Sequence, residues 1–152
     1  MKKRTHAALL ALATVSYACS AVITSASGYA APDTLGDKLC TIEYPTPNDL
    51  AIQGSSDAFA ASNGNGSIEL ALHTDAQSET EYYQKFSVAW TNLDTGEKGQ
   101  AGISAQVRGS DNTLSTVIYP QPGRITLAIS ILNRGSDQKV TDGNCSAEYT
   151  AR

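Results

Sequence analysis

Histidine is scarce in this sequence, which limits the catalytic sites that the chain can build. Two histidines are present in 152 residues, and only His73 lies beyond the first 31. A Ser–His–acid triad would have to use His73, and no Gly-x-Ser-x-Gly elbow surrounds any serine. His73 falls on the polar side of an alternating segment, which indicates a solvated strand residue. We therefore expect a protein that is not an enzyme, with a small hydrolase as the least favoured alternative.

Pairs of acidic residues are present, but their spacing indicates solvated turns. Glu79 and Glu81 lie in a polar stretch, and Asp94 and Glu97 flank a predicted hairpin loop. A glycosidase needs two carboxyl groups that face each other across a cleft, whereas acidic residues in turns are ordinary. Neither pair therefore predicts an active site.

Ligands for a metal ion or a cofactor are equally sparse. Asp137, Asp142 and Asn144 could bind calcium weakly, although their spacing matches no calcium-binding loop. The glycine-rich segment 63–67 lacks the lysine and the helix that a phosphate-binding loop requires. We expect neither a cofactor nor a metal ion.

The first 31 residues have the pattern of a secretory signal. Lys2, Lys3 and Arg4 precede the short apolar run 7–15, and small residues follow up to Ala31. A positive start, a short apolar centre and small residues at the cleavage site are the features of a signal peptide. A membrane anchor is the alternative, but it needs about 20 mostly apolar residues. We expect a signal peptide over 1–31, with cleavage near Ala31.

The remaining segment, 32–152, is predicted to be a single exported domain with a negative net charge. Once the three basic residues of the signal are removed from the total of 11, eight remain against 15 acidic residues, a net charge of −7. No basic cluster is available to neutralise phosphates, so nucleic acid is a poor partner. No apolar run in this segment is long enough to cross a membrane. We expect a secreted, extracellular or cell-envelope protein.

Three cysteines are present, and two of them belong to the predicted domain. Cys40 lies near its start and Cys145 near its end, and an even count in an exported protein favours a disulfide. A metal site needs more ligands, and a redox pair usually has the spacing Cys-x-x-Cys. We predict a Cys40–Cys145 bridge that joins the terminal strands. Cys19 lies in the signal segment, where residues 16–18 match a lipidation motif poorly, so a lipid anchor is disfavoured.

Apolar and polar residues alternate through most of the domain, which is typical of strands. The predicted strands are separated by turn residues and cover 38–44, 50–52, 67–74, 82–91, 101–107, 113–119, 124–132 and 146–149, with 133–144 as loop or edge. About seven or eight short strands predict an all-β fold, an antiparallel β-sandwich. A closed β-barrel would give a similar pattern of alternating apolar and polar residues.

Two segments resemble immunoglobulin-like domains of small secreted bacterial proteins. Segment 117–131 has two strands around a Pro-Gly turn, and in 86–102 a strand with Trp90 precedes an Asp-Thr-Gly turn. The resemblance implies an immunoglobulin-like sandwich and carries over no functional residue, because a fold does not imply a function. The chain departs from the family because Trp90 follows Cys40 by 50 residues and the predicted bridge does not join the B and F strands.

Binding is the class of function that remains, and three residues are candidates to face a ligand. Tyr83 and Tyr119 are out of phase with the apolar residues of their strands, and exposed tyrosines can anchor a protein or a sugar. Arg108 begins a predicted turn. We therefore expect a non-enzymatic binding protein whose partner is an extracellular protein or a glycan.

Two other functions remain open. One is a protein inhibitor of a secreted hydrolase, which would present 108–111 or 120–123 as a rigid loop. The other is a carbohydrate-binding module that uses Tyr83, Tyr119 or Trp90.

Overall fold

The computed structural model describes residues 35–152, so the predicted signal segment and Cys19 lie outside the described residues. Its eight strands are Asp37–Pro45 (β1), Gln53–Ser62 (β2), Ile68–Asp75 (β3), Tyr82–Asn92 (β4), Lys98–Val107 (β5), Asn112–Ile118 (β6), Gly123–Arg134 (β7) and Val140–Ala151 (β8). They form two antiparallel sheets, with the order β1-β2-β3-β6 in sheet A and β5-β4-β7-β8 in sheet B. The prediction of an all-β fold with two antiparallel sheets is confirmed. No helix within 35–152 is long and apolar enough to cross a membrane.

Alternate residues of both sheets form one apolar core. Side chains along a strand point to opposite faces in turn, so every second residue can face the other sheet. In β7 these residues are Ile125, Leu127, Ile129 and Ile131, all buried, and β3 contributes Leu70 and Leu72 from the opposite side. Full burial of such a side chain stabilises the fold by about 1.5–3 kcal/mol.

β2 is the strand that sequence analysis missed. A short strand was expected at 50–52, but that segment is a turn, and a strand of ten residues follows it. The buried side of β2 consists of small residues that give a weak hydrophobic signal: Gly54, Ser56, Ala58 and Ala60. Small residues are needed there because a Cβ on Gly54 would lie 2.9 Å from Cε2 of Tyr44.

The last two strands are longer than expected. The predicted strands 124–132 and 146–149 correspond to strands of 12 residues each, so most of the segment 133–144 is strand. The predicted strand ended before Asn133 because a polar residue was not expected inside the core. Asn133 is nevertheless fully buried, and hydrogen bonds satisfy its side chain.

The edges of the two sheets meet at two seams. At one seam β1 lies beside β8, and the Cys40–Cys145 disulfide joins the two strands covalently. At the other seam β5 lies beside β6, and the short loop 108–111 connects them. The predicted bridge between the terminal strands is therefore confirmed, and the fold is two separate sheets, compatible with a β-sandwich.

The antiparallel strands place their connections at two opposite ends of the sandwich. The first loop end consists of 46–52, 76–81, 108–111 and 135–139, and the second of 63–67, 93–97 and 119–122. Asn48 ties the first end together, because its Nδ2 donates to Thr80 O at 2.9 Å and its Oδ1 accepts from Ser136 N at 3.3 Å.

Removal of the disulfide is expected to destabilise the protein strongly. The bridge joins residues 105 positions apart, and closing a loop of that length contributes about 4–5 kcal/mol by restricting the unfolded chain. The double variant Cys40→Ala/Cys145→Ala should lose about that much unfolding free energy in guanidinium titration. Reduction of the parent protein is the matched control and should give the same loss, whereas a loss below about 1 kcal/mol would contradict the entropic account.

Candidate functional site

Negative charge is distributed unevenly over the outer faces of the two sheets. β5, β4 and β7 are neighbours in sheet B and contain no Asp or Glu. Sheet A carries carboxylates at outward positions of its first three strands: Glu43, Asp57, Glu69 and Asp75. In a chain with 15 acidic and 11 basic residues, three adjacent strands without a carboxylate form a distinct surface.

Exposed apolar and cationic side chains lie together at the first-loop-end corner of this surface. Tyr83 on β4 pairs with Arg134 on β7, Arg134 pairs with Val140 on β8, and Lys85 pairs with Leu132 in the next outward row. Directly paired side chains lie about 4.5–5.5 Å apart at Cβ. These five residues therefore form one continuous surface, which we call the tyrosine patch.

The tyrosine patch shares part of its composition with protein interfaces, although lysine, which it contains, is depleted there. Tyr83, Leu132 and Val140 are 45%, 38% and 50% exposed, and Lys85 and Arg134 are exposed beside them. Tyrosine and arginine are enriched at protein interfaces, and carboxylates are depleted there. Asp142 lies on the edge strand β8 and pairs with Leu132 of β7. It adds one carboxylate at the rim of the tyrosine patch.

Arg108 lies next to the tyrosine patch. Tyr83 pairs with Gln106 on β5, and Arg108 follows Gln106 by two residues, so it extends the same face. Nε of Arg108 is 4.0 Å from Oε1 of Glu81, and both side chains are exposed, so this ion pair contributes little to stability. The structure thus brings together two of the three predicted ligand-facing residues, Tyr83 and Arg108.

A shallow depression continues the surface from the patch along sheet B. Its volume is about 920 Å³, and Lys85 lines it at the end shared with the patch. The rest of the lining is dominated by small side chains, among them Ser87, Ala89, Gly102, Ser104, Ala128 and Ser130. A partner can therefore approach the backbone of the sheet closely beside the patch.

Buried hydrogen bonds on the core side of sheet B link β4 and β7, the two strands that carry most of the patch. Gln84 lies between Tyr83 and Lys85 in the chain and points into the core. Its Oε1 accepts from Thr74 Oγ1 at 2.8 Å, and its Nε2 donates to Tyr44 OH at 3.1 Å and to Asn133 Oδ1 at 2.9 Å. Because Asn133 lies between Leu132 and Arg134, the Gln84–Asn133 bond links the strands that carry most of the patch.

The buried polar network continues beyond Gln84. Tyr44 OH is 3.0 Å from Tyr82 OH, and Ser56 Oγ is 2.7 Å from Thr74 Oγ1. Burial and the hydrogen bond with Tyr44 raise the pKa of Tyr82, so its phenol stays neutral. Within 35–152, no buried side-chain nitrogen or oxygen lacks a partner. A fully satisfied network of this kind makes the surrounding core rigid.

Tyr119 lies at the second loop end, away from the patch, and is 71% exposed. The loop that follows it is held by Asn92, whose Nδ2 donates to Gln121 O at 2.7 Å. The Oδ1 of Asn92 accepts from the backbone N–H groups of Asp94 and Thr95 at 2.9 and 3.0 Å. The third predicted residue is therefore presented separately, on a rigid loop.

A carboxylate fixes the other side of this loop. Asp94 Oδ2 accepts from Arg124 N at 2.8 Å, and Oδ1 lies 3.3 Å from Arg124 Nη2. Gly123 has φ of 137°, and a Cβ there would lie 2.8 Å from Asp94 Oδ2, so glycine is required at this turn. The backbone hydrogen bond from Arg124 is the main cause that lowers the pKa of Asp94.

The other residues singled out from the sequence do not come together in a site. His73 is half-buried on the outer face of β3, with Nδ1 3.4 Å from Thr113 Oγ1. Trp90 is buried in the core and so unavailable to stack on a sugar. Asp137 makes an exposed ion pair with Lys139. Over residues 35–152, no group of three or more His, Cys, Asp or Glu side chains is placed to hold a metal ion.

Four residues of the tyrosine patch were not predicted to face a ligand: Lys85, Leu132, Arg134 and Val140. Leu132 ended a predicted strand, and Arg134 and Val140 fell in the segment expected to be loop or edge. The phase of β7 contained the signal, since Leu132 and Arg134 alternate with the buried residues of that strand. The pairing with Val140 depends on β8, whose beginning has little apolar alternation.

Comparison with known proteins gives no relative: no family model, no curated protein and no solved structure matches the chain. Function is therefore inferred from the chemistry of the surface.

Substitution of Gln84 by Met is expected to destabilise the fold and loosen the patch. The change removes the donor to Asn133 Oδ1 and one hydrogen bond each of the Thr74 and Tyr44 hydroxyls, which keep other partners. A buried acceptor left without a partner costs about 1–3 kcal/mol. Urea unfolding should show a total loss of about 2–5 kcal/mol, and amide exchange of Tyr83 and Arg134 should accelerate. The matched control is Gln106→Met, an exposed position on β5. Equal stability of the two variants would show that the network does not support the patch.

The loop around Tyr119 is expected to lose stability in acid through Asp94. Because the folded-state pKa of Asp94 is lowered from 3.8, its stabilising contribution is present above pH 3.8 and is lost as the pH falls through the lower folded value. Asp94→Asn should therefore melt below the parent at pH 7, and the difference should disappear in stronger acid. Melting temperatures measured across this range test the sign, and a difference that grows towards low pH would contradict it.

Proposed function

We propose that the protein is an exported, non-enzymatic binding protein that recognises another extracellular protein through the tyrosine patch. The observation that carries this proposal is the placement of Tyr83, Arg134, Leu132 and Val140 side by side on the outer face of sheet B. Tyrosine and arginine are the residue types that most often carry binding energy at protein interfaces.

Rigidity of the patch supports binding by a pre-formed surface. The patch residues stand on paired strands, and Gln84 and Asn133 are hydrogen-bonded directly beneath them. Binding to such a surface orders few additional groups, so less of the contact energy is lost to conformational entropy. A partner can therefore bind without a rearrangement of the sheet.

The charge of the patch indicates the chemistry of the partner. Lys85 and Arg134 are cationic, and the strands β5, β4 and β7 carry no carboxylate. A complementary partner presents an apolar pocket for Tyr83 with neutral or acidic residues around it. Association with an acidic partner should be faster at low salt, because charge complementarity acts mainly on the association rate.

The sequence pattern of residues 1–31 and the disulfide support the extracellular or cell-envelope location that this proposal includes. Residues 1–31 have the pattern of a signal peptide, and the Cys40–Cys145 disulfide is typical of exported proteins. An immunoglobulin-like strand arrangement stays a prediction that rests on the resemblance of 86–102 and 117–131 alone.

Inhibition of a secreted hydrolase is the second candidate, and the loop 119–122 favours it. Tyr119 is exposed, and the following residues are fixed by Asn92 and Asp94. A loop held in one conformation lowers the cost of binding in an enzyme cleft. This candidate uses the second loop end, so it can be separated from the first proposal by substitution.

Loss of the patch is expected to abolish recognition of the partner. The parent, Tyr83→Ala/Arg134→Ala and the control Tyr119→Ala are immobilised and exposed to the organism's extracellular fluid and surface extract. Bound proteins are identified by mass spectrometry, and dissociation constants are then measured with the purified partner. Truncation of a hot-spot residue costs about 2 kcal/mol, roughly 30-fold in affinity, so the double variant should bind at least that much more weakly. Tyr119→Ala should bind as the parent does.

The outcomes separate the two candidates. A partner that binds the double patch variant normally but is lost with Tyr119→Ala would rule out the patch and favour the loop. If that partner is a hydrolase whose activity falls stoichiometrically with added protein, the protein is an inhibitor.

A further inference from the structure

Three of the four edge strands carry a feature that blocks pairing with another chain. β1 has a register shift between Lys38 and Cys40 and ends at Pro45. β8 is joined to β1 by the disulfide, and β6 is only seven residues long. Bulges, proline, covered edges and short edge strands are the usual protections against edge-to-edge association.

β5 is the edge strand without such protection. It is ten residues long and pairs with β4 in unbroken register from Lys98 to Val107. It contains no proline and no acidic residue, and its one charge is Lys98 at the first position. In the part of the chain that the structure describes, residues 98–107 make no backbone hydrogen bond outside the sheet ladder. The other edge of β5 therefore offers its N–H and C=O groups to a further strand.

Burial along β5 shows that sheet A covers this edge only at its Val107 end, next to the connection to β6. Val107 and Ile103 both lie on the inner side of the strand, opposite Tyr82 and Phe86 of β4. Val107 is 1% exposed, whereas Ile103 is 40% exposed. An inward-facing aliphatic side chain thus remains open to solvent at the middle of the strand.

The sequence of β5 is nearly symmetric about Ile103, which favours a second copy as the occupant. An antiparallel pair centred there places Gln100 opposite Gln106, Ala101 opposite Ala105, Gly102 opposite Ser104 and Ile103 opposite itself. The two residues of each pair lie on the same face of the sheet and are similar in size and polarity. A twofold axis through Ile103 is the symmetry that an isologous dimer requires.

The absence of carboxylates also favours a second copy at this edge. The chain has more acidic than basic residues, so two copies repel each other over most of their surface. The strands nearest this edge, β5 and β4, carry no carboxylate. At the two ends of the pair Lys98 would face Arg108, a like-charge contact that opposes pairing there. Its effect is reduced because both side chains are exposed and Glu81 lies beside Arg108.

We propose that two copies of the protein associate through antiparallel pairing of β5 with β5 about Ile103. Sheet B then continues through the interface as a sheet of eight strands, with both tyrosine patches on the same side. Pairing of one strand buries less than about 1,200 Å² in total, the range of weak and transient interfaces. The dimer is therefore expected to form reversibly at micromolar or higher concentration. This inference does not depend on the proposed function.

Cysteine pairs test the register directly. Opposed residues of an antiparallel pair have Cα atoms about 4.5–5.5 Å apart, which is within the range of a disulfide. Under mild oxidation, Ile103→Cys should form a covalent dimer. Ala101→Cys alone should give at least ten-fold less dimer, because its partner is Ala105, whereas a mixture of Ala101→Cys and Ala105→Cys should give the mixed dimer.

Sedimentation equilibrium of the parent protein tests the dimer itself. The parent should show a concentration-dependent dimer that Ile103→Lys weakens at least ten-fold, since the added charges face each other at the twofold axis. Val117→Lys, an exposed position on the outer face of β6, is the control and should dimerise as the parent does. Near-ultraviolet circular dichroism checks that each variant is folded.

Three results would overturn the proposal. A parent protein that stays monomeric up to millimolar concentration does not form the proposed dimer. A dimer that persists in folded Ile103→Lys lies on another surface. Covalent dimers that form equally well from Ala101→Cys and Ile103→Cys show collision rather than a fixed register.

Discussion

The side chain of Gln84 is the contact on which the arrangement of the two sheets depends. Its carboxamide accepts a hydrogen bond from Thr74 in sheet A and donates to Tyr44 in sheet A and Asn133 in sheet B. Apolar contacts alone tolerate small shifts between packed sheets, whereas these hydrogen bonds require defined distances and directions. A buried polar group that loses its partner is costly, so the network favours the observed relative position of the sheets.

That constraint separates the inner and outer sides of sheet B. On the inner side, aliphatic residues and the polar network are fully buried, and the disulfide closes the seam between β1 and β8. On the outer side, β5, β4 and β7 expose small residues, cations and the tyrosine patch without a carboxylate. Negative charge lies on sheet A and in the loops, and a net charge far from zero favours solubility. The surface that is left uncharged or cationic is the one that we propose contacts another protein.

Strands whose buried residues are large were predicted from the sequence more easily than strands whose buried residues are small. β3 and β7 were predicted because large aliphatic residues alternate with polar ones, which is the direct signature of a half-buried strand. β2 was missed because its buried residues are Gly, Ser and Ala, which give a weak hydrophobic signal. At Gly54 the ring of Tyr44 leaves no room for a larger residue. The candidate site was predicted in part: Tyr83 and Arg108 were recognised from phase and turn position, but Lys85, Leu132, Arg134 and Val140 were not.

Local alternation determined the all-β class and the exposure of Tyr83 and Tyr119, and cysteine parity determined the Cys40–Cys145 bridge. These properties depend on each residue and its near neighbours, so a single sequence reveals them. Only the tertiary structure decided that β4 lies between β5 and β7, which places Tyr83 beside Arg134 and leaves β5 at a free edge. Strand order joins segments far apart in the chain, and it is selected by the packing of the whole core and its buried hydrogen bonds.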